Sequence, residues 1–293
     1  MPISLTALTD PAAGPARRRA AWLAADDDGV PVGSAFLTLS DREERRRVAE
    51  LELTVHPAER RRGTGTLLLE AAIGAARAEG RGILLAVAGE GGPGEAFLAA
   101  RGLRRVLVLV EARLPLAAAD DGRLTALVER PHPGYRLVDW DGTAPDGLLE
   151  RYLAARPAMD DMPLGDTGHG AVRWTPDRLR AAAEAVAARG DLLHTVAVVS
   201  EDDGAVVGFT ELVVPGGGTG DGQHYGTGVL PAHRGRGLAG WMKAASVRTA
   251  RRRHPALAGL LTDTAEENAP MRRVNEAFGY RPTRRLCHYR LDL

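Results

Sequence analysis

Val229-Leu230-Pro231-Ala232-His233-Arg234-Gly235-Arg236-Gly237-Leu238-Ala239 is the stretch whose reading decides the fold. A strand-like run ends at Pro231, and an arginine- and glycine-rich turn follows. From Leu238 to Arg253 leucine, alanine and valine then recur at helical spacing. A strand that ends in such a turn and feeds a helix makes an anion site, because backbone N–H groups point into the turn and the helix dipole adds partial positive charge. Gly237 would let backbone and phosphate approach where a Cβ would collide. On its own the string also fits a solvated basic turn, so its surroundings decide.

The same order of signals occurs earlier, in Val55-His56-Pro57-Ala58-Glu59-Arg60-Arg61-Arg62-Gly63-Thr64-Gly65, so that residues 51–110 and 227–291 read as two copies of one unit. Each turn leads into an amphipathic helix (64–79; 238–253) and a short apolar strand (83–87; 257–262). A short helix then stops at a glycine, in Arg101-Gly102-Leu103 or Phe278-Gly279-Tyr280. Upstream strands complete each sheet, at 35–40 in the first half and at 193–200 and 205–214 in the second. The second half is fuller, with a strand at 135–138, a helix near 147–155 and a helix near 175–189 opened by Thr175-Pro176-Asp177. The mixed stretch 117–134 marks the boundary between domains 1–125 and 134–293, and the glycine cluster 215–222 reads as a surface loop.

At 293 residues the chain accommodates two ordinary domains. Its 38 basic and 38 acidic residues balance, which argues against a nucleic-acid or membrane-surface partner. No apolar run approaches the roughly 20 residues that span a bilayer. The single cysteine, Cys287, forms neither an intramolecular disulfide nor a metal cluster, and the opening MPISLTALTD lacks the layout of a signal peptide, so a cytoplasmic location is expected. Nearly all basic charge is arginine. Lys243 is the only lysine, which reads as compositional bias without chemical meaning.

The order strand, Val-x-Pro, R-x-x-G-x-G/A turn and long amphipathic helix resembles the GNAT superfamily of N-acetyltransferases, and its doubling is similar to the tandem, mycothiol-synthase-like members. The resemblance covers about 135–293 well and 18–116 weakly. It implies an α/β chain of two tandem GNAT folds, each a mixed, mostly antiparallel sheet flanked by helices. It also implies that the turn holds the pyrophosphate of acetyl-CoA. The residues concerned are Val229, Leu230, Arg234, Gly235, Arg236, Gly237, Leu238 and Ala239 in the second copy, and Val55, Arg60, Arg61, Arg62, Gly63, Thr64 and Gly65 in the first. The implied reaction is direct attack by the primary amine of a small molecule on the thioester, without a metal, in a monomer or homodimer. A protein-lysine acetyltransferase and a catalytically decayed acyl-CoA sensor are the alternatives. A nucleic-acid module would need an aromatic stacking platform that the sequence does not offer.

In the family pattern an asparagine opens the helix after the fifth strand, and a tyrosine seven residues later often protonates the leaving thiolate. Here Asn268 fills the first position and Asn275 the second, whereas the first copy has Gly91 and Leu98 and looks catalytically empty. An amide donates a hydrogen bond but is no general acid, which leaves water or Tyr225 as the proton source. For the base there are two candidates. Glu211 is an acid within an otherwise apolar strand, and His224 is a group whose imidazole accepts a proton near neutrality. Their bland readings are an edge-strand charge and a loop-end histidine. Asp160, Asp161, Met162 and Asp166 sit in a loop expected to cover the acceptor pocket and to favour a cationic amine; a plain solvated loop is the alternative. Asn268 also suits a simple helix cap, and Cys287 a small strand residue.

Overall fold

The first copy of the repeat builds β1 (Ser4–Leu8), β2 (Arg17–Ala25), β3 (Pro31–Ser40), β4 (Val48–Val55), α1 (Thr64–Ala78), β5 (Ile83–Gly89), α2 (Pro93–Ala100) and β6 (Arg104–Pro115) in the computed structural model, which describes residues 3–8 and 17–293. Strands β1 to β4 pair antiparallel in sequence order, and β4 then runs parallel to β5. Helix α1 lies on this sheet because Leu68, Leu69, Ala72 and Ala76 recur at helical spacing and are all buried. Each fully buried leucine contributes about 2 kcal/mol relative to exposure.

The second copy comprises α3 (Asp121–Glu129), β7 (Tyr135–Asp141), α4 (Asp146–Ala155), α5 (Pro176–Ala187), β8 (Leu192–Ser200), β9 (Val206–Val214), β10 (Gly220–Val229), α6 (Leu238–Arg253), β11 (Leu257–Ala265), α7 (Ala269–Ala277) and β12 (Arg281–Asp292). Strands β7 to β10 are antiparallel and β10 is parallel to β11, which repeats the pattern of the first copy. Thr175 caps α5 by accepting from the Arg178 N–H at 3.2 Å, with Pro176 at the first helical position.

Three segments differ from the sequence reading. β1 and β2 are absent from it, because Arg17-Arg18-Arg19-Ala20-Ala21 lacks an apolar alternation; in the structure Arg18 is ion-paired with Glu79 at 2.9 Å. The stretch 117–134 holds α3, whose N-cap is the Asp120 carboxylate accepting from the Arg123 N–H at 3.0 Å. β10 begins inside the glycine cluster, at Gly220.

Two compact units emerge: Met1–Leu109 with Leu164–Val172 and Arg285–Leu293, and Val110–Pro163 with Arg173–Arg284. The first unit thus takes its last strand from the end of the chain, since Leu286–Asp292 of β12 pairs antiparallel with β5. Cys287 and Tyr289 are buried in its core beside Leu84, Ala86 and Leu98. The second half of β6 places Ala112 and Leu114 in the core of the second unit. Among the described residues no helix is long and apolar enough to cross a membrane.

Tyr289 is 3 % exposed and its hydroxyl donates to Glu95 at 2.7 Å. Tyr289→Ala should therefore destabilise the first unit by about 3 kcal/mol in denaturant unfolding. A loss below about 1 kcal/mol would mean that the final strand adds little to that core.

Candidate active site

β10 and β11 pair from Gly220↔Leu257 to Gln223↔Leu261 and no further. At that point β10 carries a bulge, for His224 faces Leu212 and Gly226 faces Glu211 on β9, with Tyr225 as the extra residue. Where the ladder stops, backbone N–H and C=O groups are left to face a gap. That gap is a cavity of about 570 Å³, lined on one side by residues 224–229 and on the other by residues 262–265, Glu267 and Asn268. The size suits a small-molecule ligand.

The basic turn forms one wall. Gly235 and Gly237 have φ of 76° and 79°, and in the first unit Arg61 and Gly63 have 66° and 89°. Arg61 is the only non-glycine residue with positive φ among the described residues. A left-handed conformation costs a side-chain-bearing residue about 1–2 kcal/mol, so the turn itself demands that geometry, whichever residue fills it. Each turn is tied to its strand in the same way: Arg234 Nε donates to the Val229 carbonyl at 2.8 Å, and Arg60 Nε to the Val55 carbonyl at 3.3 Å. Gly237, Leu238 and Ala239 open α6 beside the cavity, whereas Leu230 packs into the core and Arg236 lies 5.7 Å from the Tyr135 ring. Arg62 is paired with Glu59 at 2.7 Å.

Glu211 Oε1 accepts from Arg156 Nη1 at 2.9 Å and from the Tyr152 hydroxyl. Arg156 is itself buried and stacked 4.0 Å from the Trp174 ring centroid. The other oxygen, Oε2, lies near Gly226, where a Cβ would stand 3.7 Å from it, but Glu211 itself is not among the residues that line the cavity. His224 is buried, lines the cavity and shares a 2.9 Å hydrogen bond between Nε2 and the Tyr280 hydroxyl. Burial first, and then the nearby Lys243, hold its imidazole well below the usual range, so it is neutral at neutral pH. Tyr225 is exposed at the cavity, and its hydroxyl accepts from Arg189 at 3.0 Å. Asn268 caps α7 by accepting from the Met271 N–H at 3.2 Å and also lines the cavity.

Asn275 is buried. Its Oδ1 accepts from Lys243 Nζ, and its Nδ2 donates to Thr264 Oγ1 at 3.0 Å. Lys243, set aside as compositional bias, is 1 % exposed and lines the cavity, and burial pushes its ammonium down to about 7. The sequence held a signal for it, because the sole lysine falls four residues after Ala239 and four before Val247, on the buried face of α6. Asp263 also lines the cavity, and burial first, with Glu111 adding to it, raises its carboxyl above the usual range.

The acidic loop is divided. Asp161 lines the cavity but is held by Arg234, with Nη2 to Oδ1 at 2.9 Å, which keeps its carboxyl below the usual range. Met162 lines the cavity too, and Asp160 is exposed outside it. Asp166 belongs to the first unit, where Arg104 and Arg290 neutralise it.

The first unit has a corresponding cavity of about 740 Å³ beside its own turn, where the β4–β5 pairing ends at Leu51↔Ala86. Arg60, Arg61, Gly63 and Gly65 line it, but among the described residues no acidic, histidine or lysine side chain does, and Phe97 occupies the wall that α2 provides. Thr64 is buried beneath the turn.

The sequence profile described as the Acetyltransferase (GNAT) family matches residues 7–103 and 167–280. Mycothiol acetyltransferases of Clavibacter michiganensis subsp. michiganensis and Clavibacter sepedonicus are 30% and 32% identical over 75% and 76% of this chain. Each match spans only 64% of the relative's own length. Among solved structures, a tandem GNAT protein from the clavulanic acid biosynthesis pathway superposes with a TM-score of 0.76 at 27% identity, covering 96% of this chain and 84% of that one. A GCN5-related N-acetyltransferase from Sphaerobacter thermophilus shares the fold at 17% identity, with a TM-score of 0.66 over 93% of this chain and 80% of that one. With two matched regions on two copies of one strand–turn–helix unit, the chain belongs to the GNAT acetyltransferase family.

Proposed function

We propose that this chain transfers an acetyl group from acetyl-CoA to the primary amine of a small molecule, by direct attack within the second unit. The observation that carries this reading is the contrast between the two cavities. Both lie beside an anion-binding turn, but only the second gathers proton-handling side chains where its parallel strands separate. The name of the mycothiol acetyltransferase relatives fits a small-molecule acceptor. The turn formed by Arg234, Gly235, Arg236 and Gly237 and the first turn of α6 would hold the pyrophosphate, and the second unit's backbone near Val229 would face the thioester oxygen. The first unit offers the same anion-binding turn without a base, so it is a ligand-holding or structural copy. Glu211, fixed by Arg156 and Tyr152 and presenting Oε2 toward Gly226, is the base for the acceptor ammonium. Asp263 and Glu267 are the carboxylates left to attract a cationic amine, because Asp161 is committed to Arg234.

A Cβ on Gly237 would meet His132 Cε1 in ordinary contact at 3.5 Å, so no protein atom forbids a side chain there, and the left-handed backbone at φ 79° together with a pyrophosphate at the turn is what excludes one. Gly237→Val should weaken acetyl-CoA binding by at least about tenfold in calorimetry, and Gly63→Val should leave turnover within about twofold. Turnover lost in the folded Gly63 variant, with binding at the second unit intact, would place the chemistry in the other half.

Asp161→Asn removes the carboxylate that competes with a phosphate for Arg234. Acetyl-CoA should bind about twofold more tightly, as befits an exposed ion pair, while the KM of the amine stays unchanged. A raised amine KM with unaltered acetyl-CoA affinity would restore Asp161 to the acceptor site.

Glu211→Gln should lower kcat by about 100-fold with acetyl-CoA affinity preserved. A silent Glu211→Gln beside a crippled His224→Gln would transfer the role of base to His224.

A further inference from the structure

We propose that Lys243 is the group that protonates the departing thiolate, a role for which the chain has no tyrosine at position 275. The inference rests on the acyl-transfer reading above and deepens it. Three observations carry it.

The first is placement. Of the basic side chains that line the cavity, His233 and Arg234 belong to the turn, His224 to β10, and Lys243 alone rises from the body of α6 toward the gap between β10 and β11. With the pyrophosphate at the turn, the thioester end of the same ligand lies on the Lys243 side.

The second is the shell around it. Asn275 of α7 accepts a hydrogen bond from Nζ, Thr264 of β11 accepts one from that amide and orients it, the Tyr280 ring lies 4.5 Å from Nζ, and His224 of β10 bonds to the Tyr280 hydroxyl. β8 and β9, also packed on α6, bring apolar Val196, Val198, Leu212 and Val214 to that side. His194 of β8 is held by Asp141, which also binds Arg253 at the far end of α6. The carboxylates lining the cavity are Asp161, Asp263 and Glu267, and Asp161 is taken by Arg234. Burial is the one cause that moves Lys243, and it brings the ammonium to about 7, where an acid both holds a proton and releases it readily.

The third is an internal control. Aligning Gly63 with Gly237 puts Leu69 at the place of Lys243, and aligning Gly102 with Gly279 puts Leu98 and Leu103 at the places of Asn275 and Tyr280. All three leucines are buried at 5 % exposure or less. The fold therefore closes this layer with leucine, and the polar trio is not needed to build it.

In the step itself the acceptor nitrogen bonds to the thioester carbon as the C–S bond breaks, and the electron pair stays on sulfur. The Lys243 ammonium gives its proton to that sulfur, leaving CoA thiol and a neutral lysine. The acceptor ammonium gives one proton to Glu211 before attack, Glu211 passes it to solvent and then takes the second proton that nitrogen loses as the amide forms, and exchange with solvent returns Glu211 to carboxylate and Lys243 to ammonium.

Because Lys243 is the only lysine, protein labelled with ¹³C at lysine Cε gives one lysine resonance to follow. Free protein should titrate with a midpoint near 7. A saturating CoA analogue whose thiol is acidic enough to be ionised at about pH 7 should move this midpoint upward by at least about half a unit, and desulfo-CoA, which lacks the sulfur, should not. Lys243→Met, the apolar choice of the first unit, should keep acetyl-CoA affinity within about twofold. It should slow thiol release to spermidine by about 100-fold, and the deficit should shrink at least tenfold with an acetyl thioester of a CoA analogue whose thiol is more acidic. Equal midpoints with that analogue and with desulfo-CoA, or a deficit independent of thiol acidity, would overturn the proposal. Failure of both ligands to bind wild-type protein would instead overturn the acyl-transfer reading.

Discussion

Everything at the site depends on where one parallel ladder ends. β10 and β11 stay together through Gln223↔Leu261, and the bulge at Tyr225 ends the regular register with β9 just where that pairing stops. A fully paired β10–β11 would satisfy its own backbone and leave no gap for a ligand. The turn after Val229 could then bind an anion only as an isolated surface feature. With the strands parted, the same turn stands at one side of a lined cavity, and the residues of α6 and α7 beneath the gap become its floor.

The two copies separate what the fold requires from what the chemistry requires. Both keep a left-handed residue at the second and fourth positions of the turn, and both tie its first arginine to the carbonyl of the preceding valine. Arg61 keeps that geometry at a conformational cost that Gly235 avoids, so the turn is the retained element. What differs is the layer beneath, leucine in one unit and Lys243, Asn275 and Tyr280 in the other. The turn and the cavity beside it are therefore common to both units, and the buried polar layer belongs to the second alone.

Much of this was legible in the sequence, and what was not has a common cause. The turns, α1, α6, β5 and β11 announced themselves through local signals: glycine at tight positions, helical spacing of leucine and alanine, and apolar runs. β2 was hidden because Arg17-Arg18-Arg19 shows no apolar alternation, and the pairing with β3, together with the ion pair from Arg18 to Glu79, is what makes a strand there. The fate of β12 was hidden as well, since the register of its Leu286–Asp292 against β5 is a long-range choice between equally apolar partners. Asp161 and Asp166 looked alike in sequence, yet one meets Arg234 and the other Arg104 and Arg290. Periodicity cannot assign such partners.

Lys243 shows why a rare residue deserves a physical question before a compositional answer. Its ordinary value is 10.5 and the folded value about 7, so between those pH values the unfolded chain binds the extra proton. Stability then rises with pH across that interval, and below about 7 the full cost of burying the ammonium falls on the fold. Leucine at the same place, as in the first unit, carries no such cost. A side chain that weakens the fold around neutral pH, lining the same cavity as a neutral histidine, answers to the demands of proton transfer and not to those of packing.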